Sequence, residues 1–254
     1  MPAKTLVKAP PKDPKKIAKK VKTFGFLSRF LTILGIFFIL LSIGPFIQQE
    51  FFYYLSQLKK QEFILSITGS TSKKDNPNDP PKHLNQDLTT DSPFARLLST
   101  RPIALEPVNT EFALVIEKLG INVPVVKDVP VSDSDAYMKA LEQGVAHALV
   151  SDYPSTNPGN VYIFAHASLN FWKLGKYATV FNLLRHLNLG DSIHVFFQDQ
   201  HFVYKVVGVE RYKGWEVYPL TRPVLEPILT LQTCDPPGTT LNRLVVTAKL
   251  VEVL

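Results

Sequence analysis

Cysteine is almost missing from this chain of 254 residues: Cys234 stands alone, so no intramolecular disulfide can form. That excludes the small secreted domains that disulfides hold together. A dispersed positive excess is missing too. The formal charge is +6, but residues 1–29 contain eight lysines, Arg29 and one acid, Asp13, a net of +8. The remaining residues therefore sum to −2. A nucleic-acid-binding domain carries its positive charge on the folded part, and no nucleic-acid partner is expected. No internal repeat is found, which sets aside solenoids and propellers.

What is present begins with an apolar run. Between Arg29 and Glu50 lie 20 residues without one charge, including FLTILGIFFILLSIGPFI at 30–47. As a helix rising about 1.5 Å per residue, such a run covers roughly 30 Å, the thickness of a bilayer's hydrocarbon core. Phe51, Phe52, Tyr53 and Tyr54 follow, as an interfacial aromatic belt would. A cleaved signal peptide has a shorter apolar core and a small-residue cleavage site. The expectation is an uncleaved anchor: residues 1–23 a cytoplasmic basic tail and 24–47 a transmembrane helix. With lysines on the N-terminal side only, the rest of the chain is placed outside the cytoplasmic membrane.

Residues 48–110 read as an extracytoplasmic stalk or linker, starting with a short helical extension. Ser, Thr, Asn, Asp and Lys dominate from residue 69, with six prolines between Pro77 and Pro107. From residue 111 to 254 the pattern is that of a compact β-rich domain. Short β-branched or aromatic runs recur at 112–116, 121–126, 161–164, 193–197, 202–209, 228–233 and 243–253. Two helices are expected between them. One holds Tyr137, Ala140 and Leu141 after the N-cap candidate Asp133. The other holds Val180, Leu183, Leu184 and Leu187. Seven or eight strands with few helices suggest a closed barrel or a sandwich.

Cys234 ends the strand ILTLQT and precedes the loop DPPGTTLN. Alternation along a strand puts it on one face with Ile228, Thr230 and Gln232. At that place a thiol is either a bystander or a nucleophile. Arg243 opens the next strand. If the two strands form a hairpin, they share one rim, where a guanidinium can stabilise an oxyanion or hold a peptide; a solvated strand-end arginine is the plainer reading. A cysteine nucleophile needs a proton partner. Of six histidines, His83 is in the stalk, His186 in a helix, His194 and His201 flank a hairpin turn, and His147 is in a loop. His166 lies two residues beyond the strand VYIF, at a rim. Position alone does not choose among them.

The stretch TLQTC (230–234) followed by Arg243 and RLVV resembles the signature of the sortase family. IEKLGINVPVV (116–126), ALEQGVAHA with PGNVYIFAHAS (140–168) and FNLLRHLNLGDSIHVFF (181–197) are similar to further family segments, in the family's order. The resemblance covers roughly residues 111–254. One departure is Ala165, where the family often has glycine before its histidine.

The resemblance implies an eight-stranded sortase-type β-barrel and cysteine transpeptidation. Cys234 would attack the Thr–Gly bond of an LPxTG-like sorting signal on an exported protein. His166 would move the protons and Arg243 would stabilise the oxyanion or orient the peptide. An amino nucleophile of the cell wall or of a surface protein would then take the acyl group. Thr233 and Ala165, beside the reacting residues, and Trp215 and Tyr218, in the loop before the cysteine strand, are candidate substrate-binding residues. No cofactor or metal is implied. No second apolar run follows the last strand, so a single-span, housekeeping-type enzyme is expected. A membrane-anchored cysteine peptidase and an inactive surface-binding module are the alternatives. With the orientation read here, protease added to intact spheroplasts should digest the domain after residue 48. Full protection of that domain would overturn it.

Overall fold

In the computed structural model, residues 14–59, 61–67, 102–167 and 177–254 are described. Two compact units result, residues 1–44 and 45–254. The first contains most of helix α1, Pro14–Leu58, whose Phe30, Leu31, Ile33, Ile36, Phe37 and Phe38 are exposed. Among the described residues no helix is long and apolar enough to cross a membrane. The side chains of residues 39–43, 45 and 46, inside the charge-free run, lie outside that description.

The second unit is built on a closed barrel. Its strands are β3 (Phe112–Ile116), β4 (Ile121–Val129), β5 (Val145–Ala148), β6 (Gly159–Phe164), β7 (Ser192–Phe197), β8 (Gln200–Lys213), β9 (Pro227–Asp235) and β10 (Asn242–Val253). They close in the order β10-β8-β7-β3-β4-β5-β6-β9, with β9 pairing back to β10. Closure leaves no unpaired edge to template aggregation. It also settles the choice between barrel and sandwich.

The apolar runs are strands for a visible reason. β3 reads FALVI without a polar residue because both its faces are covered. Phe112, Leu114 and Ile116 enter the barrel core, while Ala113 and Val115 join Phe196 of β7 in a second cluster outside it. That outer cluster is capped by Leu65 and Leu105. These belong to two short parallel strands, β1 (Phe63–Leu65) and β2 (Ile103–Leu105). The segment is tied down by polar bonds as well: the Leu65 amide donates to Glu117, and Asn122 accepts from the Val108 amide and donates to the Glu106 carbonyl.

Three features differ from the sequence reading. First, both ends of the segment read as a linker, 48–67 and 102–110, lie in the compact unit; residues 68–101 fall outside the description. Three-residue strands carry too little pattern to stand out in a polar, proline-rich stretch. Secondly, the second expected helix is a run of turns ending in a 3-10 turn, Leu184–His186. Its buried apolar residues are Ala178, Phe181, Leu184 and Leu187, and a spacing of three suits a 3-10 period better than an α-helical one. Thirdly, β5 is an additional strand around His147, which had been placed in a loop. Its four residues VAHA are all buried and show no alternation.

The other helix, α2 (Ser134–Gln143), agrees with the expectation. The Asp133 carboxylate accepts from the Asp135 and Ala136 amides and caps it. α2 crosses from β4 to the parallel strand β5.

Removal of residues 45–110 uncovers Ala113, Val115 and Phe196. A chain truncated to residues 111–254 should still fold, since the barrel is intact. It should lose about 1–3 kcal/mol relative to 45–254, the burial of one or two aliphatic side chains. Urea unfolding of the two chains measures this, and equal midpoints would show that residues 45–110 contribute nothing to stability.

Candidate active site

The pairing of β9 with β10 puts Cys234 directly opposite Arg243. Both side chains are half-buried, and the guanidinium Nη1 donates to the Cys234 sulfur at 3.0 Å. The hairpin, conditional from sequence, thus forms with both groups at one rim.

His166 reaches the same rim through the backbone. β6 runs parallel to β9, with Phe164 opposite Gln232. Beyond the strand end, the Ala165 amide donates to the Gln232 carbonyl at 3.1 Å, and the Thr233 hydroxyl donates to the Ala165 carbonyl at 3.0 Å. On the far side of the histidine, the Ala167 amide donates to the Cys234 sulfur, and its carbonyl accepts from Gly238 at 2.6 Å. The peptide on both sides of His166 is therefore bonded to the cysteine strand or the loop after it. The imidazole itself makes no hydrogen bond to the thiol among the described residues. Its Nε2 is buried without a partner among the described residues, and its ring meets Tyr137 edge-on at 5.4 Å between centroids.

Electrostatics at the rim oppose each other. Burial pushes the Cys234 thiol above its ordinary 9.0, while the Arg243 charge and the Ala167 amide pull it back. Burial pushes His166 below its ordinary 6.5. Both shifts favour the uncharged forms, thiol and imidazole. Tyr137, raised by burial to about 12, stays a neutral phenol.

A cavity of about 440 Å³ opens beside Cys234. Its walls include Val131 and Tyr137, Tyr162 and Phe164 of β6, Gln232 and Thr233 of β9, Arg243, and Gly214, Glu216, Val217 and Leu220 of the loop after β8. Of the four substrate-binding candidates, Thr233 and Ala165 line it. Trp215 and Tyr218 do not; they are 78% and 57% exposed. The loop itself is shorter than the sequence suggested, because Glu210, Arg211, Tyr212 and Lys213 extend β8. Tyr137 and Tyr162 were not picked out from sequence: each sits in an apolar pattern that reads as core. Gln232 could have been, since strand alternation puts it on the face of Cys234.

The other described histidines are used elsewhere, and His83 lies outside the described residues. His147 is fully buried, stacked on Tyr153 and hydrogen-bonded to Ser151 and the Asp152 carbonyl. His194 and His201 hydrogen-bond each other at 2.9 Å across β7 and β8. His186 bonds Glu50 at 3.0 Å. Among the described residues no group of His, Cys, Asp and Glu is arranged to hold a metal.

A closed eight-stranded barrel with a lone thiol, a guanidinium and an imidazole at one rim defines a narrow class. A family model described as the Sortase domain matches residues 114–251, and the chain belongs to the sortase family. It is 27% identical to sortase SrtE1 of Streptomyces coelicolor over 172 residues, 59% of this chain and 43% of that protein. The chain thus spans less than half the length of this curated relative. Among solved structures it is similar to sortase C-1 from Actinomyces oris, at 26% identity, covering 57% of this chain and 76% of that one with a TM-score of 0.48. It is also similar to sortase E1 from Streptomyces coelicolor with a tripeptide in the active site, at 23% identity, with coverages of 58% and 92% and a TM-score of 0.46.

The Arg243 charge facing the sulfur stabilises the thiolate, so its removal should raise the thiol pKa further. Below that pKa the thiolate fraction falls tenfold per unit. Arg243→Gln should therefore slow alkylation of Cys234 by iodoacetamide at neutral pH and move the rate profile to higher pH. An unchanged profile would show that the 3.0 Å contact does not influence ionisation.

Proposed function

We propose that this chain is a cysteine transpeptidase that cleaves an LPxTG-like sorting signal and transfers the exported protein to an amine of the cell wall or of a surface protein. The observation that carries this reading is the Arg243–Cys234 contact at the mouth of the cavity, with the His166 backbone bonded to the same strand. The Cys234 thiolate adds to the threonine carbonyl carbon. Arg243, which already faces the sulfur, is placed to donate to the oxyanion or to a substrate carbonyl. The Thr–Gly C–N bond breaks, His166 gives its proton to the leaving amine, and a thioester to Cys234 remains. An incoming amine, deprotonated by His166, attacks the thioester and releases the thiol. The reaction needs no cofactor. Thr233 and Ala165 are the proposed substrate-binding residues at the wall beside the nucleophile.

The same proposal places residues 24–47 in the cytoplasmic membrane as a single span, with the N-terminus inside and residues 48–254 outside. The charge-free run between Arg29 and Glu50, the one-sided lysines and the exposed apolar side chains of residues 30–38 support it.

The pKa shifts set the pH dependence. If the reacting form is thiolate with imidazolium, it is a minor form between the two pKa values. It is lost below the lowered pKa of His166, where the cysteine is fully protonated, and above the raised pKa of Cys234, where the histidine is fully neutral. The plateau of kcat/KM should therefore extend below 6.5 on the acid side and above 9.0 on the alkaline side. A narrow bell between those ordinary values would contradict the shifts.

The direct test is trapping. Protein incubated with an LPxTG peptide library should gain the mass of an N-terminal peptide fragment on Cys234, and added amine should discharge it as an amide. Cys234→Ala should fold and form no adduct, and His166→Ala should lose most activity while its thiol still alkylates. Arg243→Lys should lose about 10²–10³ in rate, because lysine keeps the charge but not the planar fork of donors. Discharge to the free acid even with amine present would make the chain a peptidase, and no adduct with any peptide would sink the proposal.

A further inference from the structure

The loop that walls the cavity is clamped to the barrel by a buried polar row. Thr230 of β9 and Thr247 of β10 are direct cross-strand partners. Arg222 donates through Nη2 to both hydroxyls, at 2.9 Å each. The Thr230 hydroxyl donates to the side-chain carbonyl of Asn160 on β6 at 2.6 Å. The Asn160 side-chain amide then donates to the Pro219 carbonyl at 3.0 Å. Asn160 is 5% exposed and Thr230 fully buried. Each would leave an unsatisfied partner if truncated, a costly state in a dry interior.

Pro219 and Arg222 belong to one helical turn, α3 (Tyr218–Thr221), and the residue that ends it. The Arg222 amide closes that turn on the Tyr218 carbonyl at 2.8 Å. Leu220, between the clamped residues, and Val217, which precedes the turn, are cavity walls. Among the described residues no carboxylate pairs with Arg222. The two threonine hydroxyls and the hydrogen bonds they pass on are what hold this half-buried cation.

We propose that Arg222, with Thr247, Thr230 and Asn160, forms a positioning clamp that holds the Val217–Leu220 wall in its peptide-binding geometry before substrate arrives. The inference rests on the transpeptidase reading for its consequence and on the network alone for its mechanics. A preformed wall spares the peptide the cost of ordering the loop. Loosening it should weaken binding and leave the reacting groups as they are.

The test uses the full-length protein with Trp172→Phe, so that Trp215, within the loop, is the one remaining tryptophan. Thr247→Val removes one of the acceptors of Arg222 with little change in shape, Thr247→Ser keeps it, and Arg222→Ala removes the clamp's cation. The probe is a peptide carrying LPATG. Thr247→Val and Arg222→Ala should raise KM about threefold to tenfold with kcat within about twofold, and lower the Trp215 fluorescence anisotropy. Thr247→Ser should match the parent in both. The Cys234 alkylation rate should not change in any of them. Parent-like KM and anisotropy in Thr247→Val and Arg222→Ala would overturn the clamp, as would Thr247→Ser failing like Thr247→Val. If the parent does not process this peptide, one trapped on Cys234 from the library replaces it; if none is trapped, the transpeptidase reading fails, and the anisotropy still decides for or against the clamp.

Discussion

The site depends on the register of one strand pair. β9 and β10 are aligned so that Cys234 faces Arg243, and every other element at the rim is referred to that pairing. A slip of one residue would send either side chain to the opposite face of the barrel wall. Closure of the barrel guards against this, because β10 is also paired to β8 and β9 to β6 along their lengths. A position that a free hairpin would sample loosely becomes a fixed contact of 3.0 Å. The core supplies the force. Leu229 and Leu231 of β9 and Leu244 and Val246 of β10 all point into the same apolar cluster.

That fixed contact works against burial. A half-buried thiol resists ionisation, and the guanidinium and the Ala167 amide counter this only in part. A half-buried imidazole next to the Tyr137 ring resists protonation. The resting pair is then uncharged, which protects the lone thiol from oxidation, since the thiolate is the reactive form. The His166 backbone is held on both sides, while its Nε2 has no hydrogen-bond partner among the described residues.

The polypeptide before the barrel has a structural part in this unit. Gln49 of α1 bonds Thr179 and Asn182, and Glu50 and Tyr53 hold His186 by a hydrogen bond and by stacking at 4.2 Å. The segment they grip, 179–186, lies in the chain between His166 and β7. β1 and β2 cover the outer faces of β3 and β7. The end of α1 and the two short strands thus shield surfaces that a bare barrel would expose.

Much of this was legible in the sequence, and the reason is periodicity and local chemistry. Seven of the eight barrel strands stand out as β-branched runs between turn residues. The α2 helix announces itself by Asp133 and its apolar spacing. Cys234 stands out by being alone, and Arg243 and His166 by their places at strand ends. These are properties of neighbours in the chain, so the chain itself states them. What it could not state were relations between distant segments. Whether His166 or another histidine lies beside the thiol depended on β6 running parallel to β9. Trp215 and Tyr218 have the composition of pocket walls, yet Val217 and Leu220, in and beside the turn Tyr218–Thr221, line the cavity instead. β5 and the β1–β2 cover are too short to carry a pattern and exist because neighbouring strands supply their hydrogen bonds. The residue types and their order along the chain determined which chemistry was available. Tertiary pairing decided which of those groups meet, because a contact between residues 68 positions apart, such as Thr233 with Ala165, is fixed by the closing of the barrel.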